Sequence, residues 1–357
     1  MTGELWWNRL VNSVRFLEDI QDCLEENMSV ILLLDTDTPW TDIMIETLTR
    51  NLSEYIDAGK GKSFETIDLS TEDGARPGEL LEKRFRPDSK SDRYWPTKHG
   101  CEEIYLAQQR NTPLNRRYVY VTEIPQNQVN DWVTSVNKYL DNCPDNEEHG
   151  VFILIVKSTG IISSKHLTTF KYSDYISDYD CMMLCLTLLS DLSCGRTEKM
   201  YLAEVASNIA HNHVELASLL VSEKLELLMN PEAVTRRVYS LSGIEAGDLS
   251  ETVHRAVWEA QIKLIFPKLE NFRAEIIRKY ETKLEQFLPI RSSNNDRIEK
   301  ASDLEIGQLF YVCKDNRDSH IVDQVELDTL RKMRDARNTL AHMEILSYKQ
   351  LKSLNII

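Results

Sequence analysis

Ser29-Val-Ile-Leu-Leu-Leu-Asp35, followed at once by Thr36-Asp37-Thr38-Pro39, places a short unbroken apolar run directly before a turn cluster. A strand buried on both faces has this appearance, and such strands belong to parallel sheets covered by helices. Four further strand candidates follow: Ser63 to Leu69, Arg117-Tyr-Val-Tyr-Val-Thr122, Gly150-Val-Phe-Ile-Leu-Ile-Val156 and His166 to Tyr172. Helical runs at about Trp40 to Tyr55 and Gln128 to Tyr139 lie between them. Strands alternating with helices predict βαβ units in a mainly parallel sheet. An amphipathic helix over Leu5 to Leu24 precedes the first strand, and the polar segment 70–98, rich in Pro, Arg, Lys and Asp, reads as an exposed loop or insertion. Beyond about Asp180 the pattern is almost wholly helical, with breaks at Pro231, Gly243 and Gly247. The predicted class is α/β plus all-α: an α/β domain over 1–180, a helical lid or connector over 181–248, and a helical domain over 249–357 reached through a linker at Ala246 to Ser250.

Composition bounds what such a chain does. With 357 residues, 42% hydrophobic and 28% charged, it has enough apolar material for two or three cores. Its longest apolar runs, Val30 to Leu34 and Val151 to Val156, fall far below the ~20 residues needed to cross a bilayer. The opening helix lacks the apolar stretch and small-residue cleavage site of a secretion signal, so a cytoplasmic location without membrane association is expected. The seven cysteines contain no CxxC pair, and Cys181 and Cys185, one helical turn apart, read as small buried hydrophobes. Of 42 Lys+Arg and 57 Asp+Glu, 18 and 17 lie from residue 251 onward, leaving 24 against 40 in the first 250 residues. An acidic body repels a phosphate backbone and releases few counterions, so any RNA contact is expected to be local to the neutral C-terminal part. The acidic part is expected to meet a protein partner.

No nucleotide loop is legible. Gly61-Lys62-Ser63 has the ending of a phosphate loop, but the required upstream glycine falls at Ile56 and a strand, not a helix, follows. After Leu34, where such a loop belongs, there is no glycine, and Asp35, Asp37 and Asp42 would repel phosphate. The order of elements over roughly residues 25–240 nonetheless resembles the core of P-loop and AAA-like ATPases, with Glu123 at the end of a would-be magnesium strand and Val151 to Ser158 as a would-be sensor strand. That resemblance implies a degenerate relative that binds no nucleotide, so neither a cofactor nor ATPase activity is expected. His211-Asn-His213 lies in a helical run, where i and i+2 side chains point to nearly opposite faces; no metal site is expected there or elsewhere.

The C-terminal part carries the chemistry. Glu251 to Phe266, Pro267 to Phe287, Glu305 to Asp315 and Val325 to about Glu344 each place apolar residues at three- and four-residue spacing, which predicts a helical bundle. The last helix buries Leu330, Met333, Leu340 and Ala341 and bears Arg337-Asn-Thr-Leu-Ala-His342. Asn338 and His342 lie one turn apart on a face continued backward by Arg334, while Arg337 lies about 100° round, beside the buried stripe. A guanidinium there needs a partner, for which Glu270 and Glu305 are in reach.

An Arg, a polar residue and a His in this order on the last helix of a bundle resemble the motif of HEPN domains. Trp258-Glu-Ala-Gln261, Phe266-Pro267, Glu270, Arg273 and Asp303-Leu-Glu-Ile-Gly307 have the look of that family's bundle helices, so the resemblance covers about residues 251 to 352. It implies an endoribonuclease or RNA-binding effector of bacterial antiviral defence or toxin–antitoxin systems, dimerising through this domain and needing no metal. In that scheme His342 is the general acid or base, histidine being the residue type that titrates nearest neutrality. Arg337 clamps the phosphate and Asn338 orients it, with Arg334, Glu270 and Glu305 in support. The alternative is a non-catalytic assembly subunit of a multi-protein defence system, whose HEPN domain serves only dimerisation and whose motif ties the last helix to the bundle.

Overall fold

The five candidate segments form strands β1 (Ser29–Leu34), β2 (Ser63–Asp68), β3 (Arg117–Thr122), β4 (Val151–Lys157) and β5 (Leu167–Lys171). The computed structural model describes every residue except 1, 54–61, 73, 88–93, 145–147, 158–159, 161, 212, 245–246, 292–294, 296 and 317–320. The strands make one parallel sheet in the order β2-β3-β4-β1-β5. Every residue of β1 is buried between β4 and β5, which is why its sequence is apolar throughout and shows no alternation. The chain divides into two compact units, Met1–Asp180 and Cys181–Ile357.

In the first unit the sheet is accompanied by α1 (Thr2–Arg9), α2 (Val11–Glu25), α3 (Thr41–Ser53), α4 (Pro77–Phe85), α5 (Pro96–His99), α6 (Glu102–Gln108), α7 (Val129–Asp141) and α8 (Tyr172–Tyr175). Side chains alternate along the strands. Ile31, Val119 and Phe152 join a core with Leu81 of α4, Leu106 of α6 and Trp132 of α7. Tyr118 and Tyr120 point the other way, donating to the Leu24 carbonyl at the end of α2 (3.3 Å) and sharing a hydrogen bond with the Thr49 hydroxyl of α3 (3.0 Å). The unit is therefore a mixed α/β structure with helices on both faces of its sheet.

Two expectations for this unit need correction. Segment 70–98 is not simply a loop: Pro77, which needs no hydrogen bond at the first helical turn, starts α4, and Leu80, Leu81 and Phe85 are buried against the sheet. The opening helix is two helices, because Leu10 is extended (φ −79°, ψ 126°) and lets α1 fold back. Trp6 and Trp7 are thereby buried, with Trp7 packed at 6.3 Å from Phe16 and 6.0 Å from Tyr172.

The second unit follows from α9 (Asp178–Leu188), whose first turn straddles the division, through α10 (Arg196–Ile209), α11 (Val214–Ser222), α12 (Leu225–Met229), α13 (Pro231–Leu241), α14 (Leu249–Leu264) and α15 (Phe266–Leu284). A short antiparallel ribbon, β6 (Ile290–Arg291) with β7 (Arg297–Ile298), interrupts the helices, and α16 (Ile306–Asp315), α17 (Gln324–Ala341) and α18 (Tyr348–Ser353) complete it. The ribbon and α18 were not expected. The helices of 181–248 and those beyond 249 form one unit, with α10 packed on α14 and α16 on α17. Of the expected linker, Ala246 lies outside the described residues, and Asp248 caps α14 by accepting from the Ser250 N–H at 3.1 Å. The run containing His211 and His213 is broken: His211 has φ +48° and the His213 ring accepts from the Leu216 N–H (3.3 Å) as the cap of α11, Asn212 lying outside the described residues. Among the described residues no helix is long and apolar enough to cross a membrane.

Candidate functional site

In an open α/β sheet, ligands bind outside the carboxyl ends of the strands where the winding direction reverses. Here that is between β1 and β4. The loop after β1 is held by α1. The Trp7 indole N–H on α1 donates to both the Pro39 and Trp40 carbonyls (3.1 Å each) in the loop after β1. Gly3 lies so close to that loop that a Cβ there would sit 2.7 Å from Trp40 Cγ and 2.5 Å from Ile43 Cδ1. Next to it, Glu123 has φ +51° and takes Lys157 Nζ at 2.8 Å, so its carboxylate already has a cation at hand. Lys62 is buried and donates to the His149 carbonyl, while Ser63 opens β2; Gly61 and Ser158 lie outside the described residues.

The end of α17 is different. The helix closes in a Schellman arrangement: Met343 N–H bonds the Leu340 carbonyl (3.2 Å), Glu344 N–H bonds the Thr339 carbonyl (3.1 Å), and Met343 takes a left-handed φ of +62°. Glycine is usual there, since a side chain costs about 1 kcal/mol in that region. Helix α14 holds the turn in place. Trp258 Nε1 donates to the Leu340 carbonyl (2.9 Å), the His254 ring contacts the Met343 carbonyl through Nε2 (2.9 Å), and Gln261 bonds both backbone groups of Leu346 (2.8 Å each). These three residues recur at i, i+4 and i+7, on one stripe of α14. Gln261 is fully buried and also donates to the Tyr201 hydroxyl of α10 at 2.8 Å.

Among the described residues the side chains of Arg337, Asn338 and His342 find no hydrogen-bond partner. His342 caps α17 through its backbone N–H, bonded to the Asn338 carbonyl (3.1 Å), and its imidazole is exposed. Asn338, one turn earlier, is exposed too. Arg337 is half-buried at 30% exposure, with Glu305 Oε2 at 3.7 Å from Nη2, too long for a hydrogen bond. Its Nε is fully buried with no acceptor. Glu305 is committed elsewhere: its carboxylate caps α16. Glu270 accepts from Arg273 Nε at 2.8 Å instead of serving Arg337, and Arg273 also donates to the Leu304 carbonyl at 2.9 Å. Arg334 does not reach out beside Asn338; it lies over the Phe310 ring at 4.2 Å, donates to Asp335 at 3.0 Å, and is 16% exposed.

Sequence reasoning placed the motif but missed His254, Trp258 and Gln261 as its fastening; polar residues recurring on the otherwise apolar stripe of α14 were the available signal. No protein-family model matches this chain, and no curated protein matches it.

Proposed function

We propose that this protein is a HEPN-type endoribonuclease whose site lies at the end of α17. The observation that carries the reading is the Arg337 guanidinium, half-buried with an Nε that has no acceptor, beside an unengaged Asn338 and His342 at a helix end that α14 fastens through Leu340, Met343 and Leu346. A buried donor without a partner costs about 1–3 kcal/mol and calls for an explanation. The side chain is 30% exposed, so a phosphate oxygen can meet the guanidinium from its open side, and an outward turn of the group would give Nε its acceptor.

The reaction is transesterification of RNA. The ribose 2′-oxygen bonds to the adjacent phosphorus as the bond to the 5′-oxygen breaks, leaving a cyclic phosphate and a 5′-hydroxyl. One group takes the 2′-OH proton and one gives a proton to the leaving oxygen; His342 performs one of these tasks, and a second copy of the motif across a homodimer completes the pair. Arg337 holds the phosphate and offsets the charge that grows on it, and Asn338 orients it. The first unit is a P-loop-like domain without a nucleotide site, a regulatory or partner-binding element; α1 over the β1 loop and Lys157 on Glu123 support this. The setting is bacterial defence or a toxin–antitoxin system.

One observation favours the rival, an assembly subunit that uses the motif structurally: Glu305 stands 3.7 Å from Arg337. Purified protein in EDTA, alone and with co-purifying partners, decides between them. His342→Ala and Arg337→Ala should each lower RNA cleavage by about 10²–10⁴-fold, the size of a general acid–base contribution, while the fold survives. Equal cleavage by both variants and the parent would end the nuclease reading.

A further inference from the structure

One aromatic side chain beside this site is left uncovered. Tyr311 on α16 is 51% exposed, although its neighbour Phe310 is buried and roofed by Arg334. The two rings meet edge to face at 5.4 Å and 68°. Two cations lie over the ring: Lys314 Nζ and Arg334 Cζ, each 5.7 Å from its centroid. One turn earlier on the same face of α16 is Gly307, where a side chain would meet nothing within 4 Å. Helical side chains lean toward the preceding turn, so the open space at Gly307 leaves room beside the tyrosine for a ligand.

Arg334 connects this ring to the candidate site. It lies on the stripe of α17 that continues to Asn338 and His342, about 12 Å along the axis from His342 at 1.5 Å per residue. Arg331 extends the stripe another turn and is exposed. A half-exposed aromatic ring with cations at hand, on a line of residues that leads to the candidate site, is the arrangement that takes single-stranded nucleic acid: bases stack on the ring and phosphates meet the cations.

We propose that Tyr311, with Lys314 and Arg331, forms a stacking platform that seats an unpaired nucleotide of the RNA. The proposal rests on the nuclease reading for its choice of RNA. A duplex keeps its bases stacked on one another and offers no face to Tyr311, whereas a single strand does.

The test is fluorescence anisotropy with the full chain carrying His342→Ala, using a short labelled single-stranded oligoribonucleotide and the corresponding blunt duplex. The single strand should bind more tightly. Adding Tyr311→Ala should weaken its binding about tenfold, within the range for loss of one base stack, whereas Tyr311→Phe should hold affinity within about twofold. Lys314→Ala and Arg331→Ala should each lower the salt slope by about one. Unchanged affinity in Tyr311→Ala, equal binding of duplex, no binding of the single strand, or a change in oligomeric state in place of affinity overturns the platform. Cleavage is measured in parallel. Undiminished cleavage by His342→Ala with lost binding in Tyr311→Ala removes the catalytic assignment and leaves the platform standing; the opposite pair of results removes the platform alone.

Discussion

Gln261→Leu probes the fastening that presents His342. The parent side chain is fully buried, its amide nitrogen donating to the Tyr201 hydroxyl and the Leu346 carbonyl and its oxygen accepting from the Leu346 N–H, each at 2.8 Å. Leucine is similar in size, so the substitution removes three hydrogen bonds without opening a large void. It leaves the Leu346 N–H and carbonyl, in a residue only 4% exposed, without their partners. At about 1–3 kcal/mol for each stranded group, less about 1 kcal/mol for the better burial of an apolar side chain, the net loss is about 3 kcal/mol. For a unit of this size that lowers its melting temperature by about 6–12 °C. Circular dichroism reads the melting transition, and amide hydrogen exchange reads Leu346 directly: its N–H should lose protection while β1 amides keep theirs. Gln261→Glu should be worse at neutral pH, since a carboxylate would face the Leu346 carbonyl. A melting point within about 2 °C of the parent, with Leu346 still protected, would refute the reasoning.

Two further outcomes follow from the first unit. Burial drives the Lys62 ammonium down to about 8, from about 10.5 in an open chain. Between those values the unfolded chain holds more protons than the folded one, so this group adds stability as pH rises through the window and nothing to the slope below it. Unfolding titrations at pH 7.5 and pH 10 should show the parent gaining about 2 kcal/mol relative to Lys62→Met; a constant difference between the two proteins would show that Lys62 titrates normally. At the other end of the sheet, α1 packs on the loop after β1, and that loop has no glycine to cradle phosphate, so ATP with magnesium should leave both tryptophan fluorescence and melting temperature unchanged. A saturable shift would mean that α1 moves aside.

Much of the architecture is local in origin and therefore legible. β1 announces itself because burial on both faces demands an apolar residue at every position, and the bundle helices announce themselves through three- and four-residue spacing. Less legible was α4, whose Leu80, Leu81 and Phe85 are few among charged neighbours and acquire meaning only when docked against α6 and α7. The break at Leu10 carries no glycine or proline; extended backbone there is maintained by the burial of Trp6 and Trp7. Strand order was likewise hidden, because β4 and β5 are consecutive in the chain yet lie on opposite sides of β1.

The candidate site divides the same way. That Asn338 and His342 share a helix face is a consequence of 3.6 residues per turn and needed no coordinates. Which partner Arg337 finds was open, since Glu270 and Glu305 were both in reach. Packing decided it: Arg273, three residues from Glu270, takes that carboxylate, Glu305 caps α16 while standing as an ion-pair partner 3.7 Å from Arg337 Nη2, and the Arg337 Nε is left buried without an acceptor. Periodicity is carried by neighbours along the chain, whereas the pairing of polar groups is a competition among residues that only the folded chain brings together.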